Sequence, residues 1–467
     1  MIDDEVFDLV VVGAGPAGEK AAAQAAYFGK RVVVIERAPE PGGAAVHTGT
    51  LPSKTLRETA LYLSGYRARG LYEGVAVALE AGATLQQLMA RKRAIAEAES
   101  LAIRKNLERH GVVYVQGHGR FAEAHSVEVE GPAGRHVVRG QWFLIATGSR
   151  PRRPPDIDFA DDQIHDSDEV LEIRELPRSL VVLGGGVIGC EYACMFAALG
   201  IPVTLVDTRA EILPFLDREM VERLSQAMQH VGVRLLCGRP WTSVRRRGAQ
   251  VVVMLEDGHE LVSDQLLFTA GRIGCSDDLG LERVGVELDS RGYIRVDRRY
   301  RTSIDNVMAA GDVIGFPALA SASMEQGRVA VCHAFGFAYK QAVADVMPYG
   351  IYTIPEVSAV GETEQTCRAK GIEYVVGRAL YENNARGRIA GDREGMTKLV
   401  VERATRRLLG VHVIGERATE LVHVGQAVLH LGGPVDLFID MVFNYPSLAE
   451  SYKYAAYQCL AALAKPS

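Results

Sequence analysis

Two stretches of this 467-residue chain repeat one pattern, and that repeat restricts the possible fold more than any other feature. Residues 7–37 read FDLVVVGAGPAGEKAAAQAAYFGKRVVVIER. An apolar run (7–12) enters a glycine turn, an Ala-rich segment at helical spacing follows, and a β-branched run (32–35) ends on Glu36. This spells strand, helix, strand. Gly13, Gly15 and Gly18 form G-x-G-x-x-G: the first glycine allows a tight turn, the second lets a pyrophosphate approach the backbone, and the third lets helix pack on strand. The helix N-terminus offers free N–H groups and partial positive charge to that pyrophosphate. Glu36, 23 residues after Gly13, can accept both hydroxyls of an adenosine ribose. Residues 180–207 repeat the arrangement with Gly184, Gly186 and Gly189, and end on Asp207, again 23 residues on. The closing strands match too, LIATG at 144–148 and LLFTAG at 266–271. An internal repeat of this kind implies two dinucleotide sites.

The remaining sequence organises around the two copies. A Pro-Gly-Gly loop (41–43) precedes Pro52-Ser53-Lys54, which reads as the first turn of a helix. A long surface helix is expected over 84–110, and short strands over 112–116 and 126–138. Arg153, Pro154 and Pro155 look like a crossover linker. Residues 301–328 read as a strand ending at Ala310-Gly311-Asp312, then a helix opening near Leu319, so that a carboxylate stands beside a helix N-terminus, where it suits a polyol hydroxyl or serves as a plain helix cap. Beyond about residue 349, strand-like runs (398–401, 409–414) and a helix (418–431) suggest an α+β module with no fingerprint of its own.

Lys and Arg total 52 against 58 Asp and Glu, and a net charge of −6 gives no reason to expect nucleic acid or an anionic membrane as partner. The opening MIDDEVF carries acids where a signal peptide needs basic residues, and the longest apolar stretch, 180–206, contains Glu191 and many glycines. The expected location is the cytoplasm. Seven scattered cysteines include no C-x-x-C and no metal-like cluster, so no metal is expected. Cys190 and Cys194, one helical turn apart in an Ala-rich helix, read as small core residues.

Residues 8–36, 42–54, 143–151, 180–207, 264–274, 302–328 and 444–450 together resemble the FAD-dependent pyridine nucleotide-disulfide oxidoreductases, and the likeness spans essentially the whole chain. The resemblance implies an α/β fold with two Rossmann-like dinucleotide-binding domains and a C-terminal α+β dimerisation domain. Its boundaries would be 1–150 (FAD, first part), 151–271 (NAD(P)), 272–347 (FAD, second part) and 348–467 (dimerisation). It further implies that FAD is held by Gly13, Gly15, Gly18, Glu36, Arg37, Gly42, Gly43, Ala44, Ala45, Lys54, Gly117, Thr147, Gly148, Asp312, Ala318, Leu319 and Ala320. The nicotinamide nucleotide would be held by Gly184, Gly186, Val187, Ile188, Gly189, Glu191, Asp207, Thr208, Arg209 and Gly271. A homodimer or higher oligomer is expected.

Disulfide-reducing members carry GGxCxxxxCxPSK, whereas residues 42–54 here read GGAAVHTGTLPSK, with Ala45 and Thr50 at the cysteine positions. Those members also carry His-Pro-Thr-x-x-Glu near the C-terminus; this chain has Tyr445-Pro446-Ser447-Leu448-Ala449-Glu450. Without a thiolate or a base of near-neutral pKa there is no chemistry for opening a disulfide. The nicotinamide side survives: the resemblance places Lys54 beside the flavin N5 with Glu191 as its ion-pair partner, and the catalytic positions expected are Lys54, Glu191 and Thr50. Val187 stands where some relatives have an aromatic gate, so an open nicotinamide pocket is expected. VHTGTLPSK, IYTIPEVSAVGETEQ, GVHVIGERATELVHVGQA and FNYPSLAESY resemble the family's transhydrogenase subgroup, in which FAD passes hydride between NADP and NAD, although that subgroup usually keeps the first cysteine. Asp207 suits the free 2′-hydroxyl of NAD, while Arg209 either pairs with the 2′-phosphate of NADP or is a solvated surface residue of an NAD-only protein. Two alternatives remain at this stage: an NAD(P)H:quinone (small electron acceptor) oxidoreductase, and a flavin-holding redox sensor or electron-donor subunit.

Overall fold

The computed structural model describes residues 5–64 and 81–465; the acidic opening residues 1–4 lie outside this range. Two compact units are formed, one from 1–55, 89–152 and 271–344, the other from 56–88, 153–270 and 345–467. Among the described residues no helix is long and apolar enough to cross a membrane.

In the first unit, strand Val6–Val12 lies between Val32–Glu36 and Gly134–Ile145, both parallel to it. Val113–Gln116 extends the sheet beyond Val32–Glu36, and Val307–Ala309 pairs with Gly134–Ile145. Alternate residues of the central strands bury on opposite faces, as a period of two requires. Val10, Val33, Phe143 and Val307 enter one core, while Leu9, Val11, Val32, Val34, Leu144 and Met308 enter another, against Ala17, Ala21, Ala22 and Ala25 of helix Pro16–Tyr27. The small side chains of that helix let helix Ala320–Phe335 pack closely: a Cβ on Gly327 would lie 2.3 Å from the Ala17 carbonyl oxygen.

The strand expected over 126–138 is in fact a hairpin, Ser126–Gly131 turning into Gly134–Ile145, and the latter runs on only to Ile145, so that of the closing stretch LIATG just Leu144 and Ile145 are strand. A strand not anticipated, His118–Glu123, completes that antiparallel edge. The long helix is confirmed at Ala81–Arg109.

In the second unit a parallel sheet runs in the order Val233–Cys237, Val203–Asp207, Leu180–Leu183, Gln265–Phe268, Ile164–Asp166. Its glycine-bearing strand is central, as in the first unit, so the repeat in the sequence is a repeat in the fold. A three-stranded antiparallel sheet, Trp241–Arg247, Gln250–Leu255 and Glu260–Ser263, is an addition the sequence reading did not foresee. The same unit holds a five-stranded sheet in which Leu408–Ile414 and Met396–Glu402 are the inner antiparallel pair, with helices Ala418–His430 and Ser451–Leu463 contributing to its core. The α+β module beyond residue 349 is therefore as expected.

Candidate functional site

Gly13 leaves its strand at φ +105°, and a Cβ there would meet the Ala146 carbonyl oxygen at 2.4 Å. A Cβ on Gly18 would lie 1.9 Å from the Gly13 carbonyl oxygen, so helix and turn touch through hydrogen alone. Around Gly15 the nearest heavy atom to such a Cβ is Gly43 Cα at 3.8 Å, which leaves backbone open to a pyrophosphate at the start of Pro16–Tyr27. Glu36 is buried, with Oε2 accepting from Ala14 N–H at 2.7 Å and Oε1 from Ala38 N–H at 2.9 Å. Each oxygen keeps accepting capacity for a ribose hydroxyl. Gly117 N–H donates to the Glu36 carbonyl at 2.8 Å, and Gly42 N–H to the Ala14 carbonyl at 2.9 Å, which draws the Gly42-Gly43 segment to the turn. Arg37 is exposed beside Glu36. These glycines form a cradle that larger residues would fill, and the site fits FAD.

Ala44 and Ala45 lie on the short helix Gly43–His47. Thr50 is exposed at the start of helix Thr50–Leu63, and half-buried Lys54 donates to Ser53 Oγ at 3.3 Å. At the same end of the unit's sheet as Gly13, just beyond strands Gly134–Ile145 and Val307–Ala309, Asp312 accepts from Ser149 Oγ at 2.9 Å, and Thr147 Oγ1 donates to the Cys275 carbonyl at 2.7 Å beside Gly148. Leu319 is the N-cap, not the first residue, of helix Ala320–Phe335; Ala318 precedes it at φ +49°. No side chain caps that N-terminus, so its N–H groups and positive end are available where Ala320 begins the helix.

The second unit repeats the cradle. Gly184 takes φ +115°, a Cβ on Gly189 would lie 1.9 Å from the Gly184 carbonyl oxygen, and nothing stands within 4 Å of such an atom on Gly186. Helix Val187–Ala198 follows, with Val187 and Ile188 half-buried in its first turn. Asp207 accepts from Gly185 N–H, the counterpart of the Glu36 to Ala14 bond, and from Arg209 N–H at 2.7 Å. The Arg209 side chain folds back on the same carboxylate, Nε to Oδ1 at 2.9 Å and Nη2 to Oδ2 at 2.6 Å. Burial opposes the charged Asp207, but the Arg209 fork and the backbone N–H groups outweigh it and hold the carboxyl below its usual range. Arg209 itself stays half exposed, next to exposed Thr208. Gly271, at φ +114°, opens the segment that returns to the first unit.

Glu191 is buried and accepts from Tyr352 N–H at 2.9 Å. Residues 352–356 are held in turn by Arg57, whose Nε donates to the Thr353 carbonyl at 3.1 Å and whose Nη1 lies 3.3 Å from Glu356. Arg57 carries no sequence signal of its own, whereas residues 352–356 fall within the stretch IYTIPEVSAVGETEQ. Lys54 belongs to the first unit and Glu191 to the second.

All seven cysteines are free. Cys190 and Cys194 are fully buried on one helix, and burial lifts both thiols, that of Cys194 to about 12. Such thiols stay protonated near neutrality and are poor nucleophiles. Near the C-terminus Tyr445 is exposed, Ser447 accepts from Ala449 N–H as a cap, and Glu450 accepts from Tyr454 Oη at 3.5 Å.

Residues 7–327 match the family model "Pyridine nucleotide-disulphide oxidoreductase", and residues 347–456 match that family's dimerisation domain. A soluble pyridine nucleotide transhydrogenase of Mycobacterium tuberculosis is 46% identical over 96% of each chain, and one of Marinomonas is 39% identical over 96% of this chain and 97% of that one. Among solved structures, LpdA of Mycobacterium tuberculosis superposes with a TM-score of 0.89 at 31% identity, covering 97% of this chain and 99% of that one. The flavoprotein disulfide reductase RclA of Escherichia coli gives 0.87 at 27% identity, with the same coverage. Family models over both parts of the chain and relatives of matching length agree: this chain belongs to the pyridine nucleotide-disulfide oxidoreductases, an FAD-dependent family that uses NAD(P).

Proposed function

We propose that this chain is a transhydrogenase of the Si-specific type, moving hydride from NADPH to NAD without a redox-active disulfide. The observation that carries the reading is the pair of glycine cradles combined with Ala45 and Thr50 at the positions where disulfide-reducing members hold cysteines. FAD, when bound, would supply the hydride chemistry, and the order proposed for the two nucleotides is ping-pong.

The chain's own residues bind, orient and supply charge. Gly13, Gly15, Gly18, Glu36 and Asp312 would hold the cofactor, and Lys54 would bring positive charge to it. The helix N-terminus at Ala320 adds a favourable field for negative charge there. Gly184, Gly186 and Gly189 take the pyrophosphate of the exchanging nucleotide, and Asp207 with Arg209 meets its adenosine ribose. We assign dimer formation to 348–467, and FAD and NAD(P) binding to 1–150 with 272–347 and to 151–271. The relatives' printed name, at 46% identity over nearly the whole length, supports the same activity.

Initial rates of thio-NAD reduction by NADPH test this reading, with both nucleotides varied. Parallel double-reciprocal lines are expected. If NADPH is consumed only when a quinone is supplied and thio-NAD stays oxidised, the chain is a quinone reductase instead.

A further inference from the structure

Asp312 is served by a relay that no sequence motif announces. Arg272 Nε donates to Ser149 Oγ at 2.9 Å, and Arg272 Nη2 donates to the Ser149 carbonyl at 2.8 Å. Ser149 Oγ lies 2.9 Å from Asp312 Oδ2. The direction of these bonds follows from chemistry. A guanidinium has only donors, so the serine hydroxyl accepts from it; the single hydroxyl proton then points at the carboxylate, which when ionised can only accept. Ser149 and Arg272 sit on two short strands, Ser149–Pro151 and Arg272–Gly274, that pair antiparallel and so fix the spacing between them. Tyr293 Oη anchors the second strand by donating to the Arg272 carbonyl at 2.9 Å. On the other side of the carboxylate, Ser323 Oγ stands 3.5 Å from Oδ1, in the first turn of helix Ala320–Phe335.

We infer that Ser149 and Arg272 are positioning residues that orient the Asp312 carboxylate, through the Ser149 hydroxyl, to accept from a hydroxyl of the FAD polyol chain. The inference rests on the reading that Asp312 holds FAD. A carboxylate with one oxygen fixed by a charge-backed hydroxyl loses its freedom to turn about its own axis, so its remaining lone pairs face one direction before the cofactor arrives. Preorganisation of this kind strengthens binding by removing an ordering cost.

The test measures the dissociation constant of FAD from recovered flavin fluorescence, with the full-length protein freed of FAD and reconstituted. S149A is expected to bind FAD about tenfold more weakly, the scale of a lost hydrogen bond to a charged group. S149T, which keeps the hydroxyl, is expected to stay within about twofold of the unaltered protein. In a D312N background S149A is expected to cost nothing further, because its effect passes through Asp312. If D312N weakens FAD binding and S149A does not, or if S149A weakens it equally with Asp312 and with Asn at 312, the relay is wrong while the reading of Asp312 stands. If D312N binds FAD as the unaltered protein does, both fall.

Discussion

Arg209 closes on Asp207 as a two-point fork, with Nε and Nη2 donating at 2.9 and 2.6 Å, while Asp207 also accepts from the turn at Gly185. The expectation that Arg209 serves a 2′-phosphate thus takes a specific form. Under the proposed function Arg209 would neutralise Asp207 with NAD bound, and with NADP would offer the 2′-phosphate the Nη1 donors that the fork leaves over. One residue pair would then serve both nucleotides, because the guanidinium would keep neutralising the carboxylate that otherwise repels the phosphate.

R209Q is therefore expected to raise KM for NADPH by about 10- to 100-fold, the scale of a lost charge-assisted pair, with a far smaller change for NADH. Steady-state kinetics with each donor check this. No change with either donor would make Arg209 a plain surface residue, and an equal rise for both would contradict its part in reading the 2′-phosphate.

The two cradles are separable by a methyl group each. A Cβ at Gly18 or Gly189 would lie 1.9 Å from a carbonyl oxygen, which no side-chain rotation relieves. G18A is expected to purify without flavin colour. G189A is expected to purify yellow yet fail to bleach with NADPH, and a G189A protein that NADPH bleaches at the normal rate would contradict the assignment of the second fingerprint.

Lys398 carries stability in the second unit. It is 1% exposed, with Nζ 2.6 Å from Asp217, 2.9 Å from Glu219 and 2.6 Å from Glu364. Asp217 also accepts from the N–H groups of Glu219 and Glu364, both at 3.1 Å, so it ties two helix starts together. Burial works against the charged form of each carboxylate, but His412, Arg378 and Lys398 outweigh it and hold all three carboxyls below their ordinary range. Carboxyls with lowered folded pKa give stability that is present above their unfolded values, about 4, and is lost as pH falls through the folded ones. Buried His412, its pKa lowered first of all by burial, adds to the loss on the acid side. K398M strands the buried Asp217 carboxylate, leaves Glu219 and Glu364 with Arg378, and is expected to destabilise by about 3–5 kcal/mol. Without Lys398 burial raises the folded pKa of these carboxyls, so the deficit in the variant's thermal unfolding temperature should be largest near neutrality and shrink as pH falls through the carboxyl range. Coincident curves would show that the cluster contributes nothing.

Arsenite captures paired thiols, and the chain offers none at positions 45 and 50. Transhydrogenation is expected to proceed undiminished after reduction by NADPH in the presence of arsenite. Loss of activity would reveal a working thiol pair.

The repeated halves were legible in the sequence because glycine spacing, small-residue helices and β-branched runs are local signals, and the fold obeys them in both units. The elements that escaped were those whose pattern is mixed. The sheet built from Trp241–Arg247 and its neighbours carries Arg245, Arg246 and Arg247, which pair with Glu260 and Asp161 and look merely solvated when read along the chain. Strand His118–Glu123 buries only Gly119 and Phe121, too few residues to announce a period of two. In the candidate site the cradles and their acids were readable, whereas Arg57 and the Arg272 to Ser149 bond were not, and neither was Lys398 in its separate cluster. A lone buried cation has no sequence signature, and partners 123 residues apart, as Arg272 and Ser149 are, meet only through the fold.

An anaerobic reductive titration with NADPH tests the central claim, that electrons pass through the flavin with no disulfide beside it. The account predicts complete loss of the yellow colour at one equivalent of NADPH per FAD, and its full return when one equivalent of thio-NAD is added. A requirement for two equivalents, with a long-wavelength thiolate-to-flavin band at the midpoint, would contradict it.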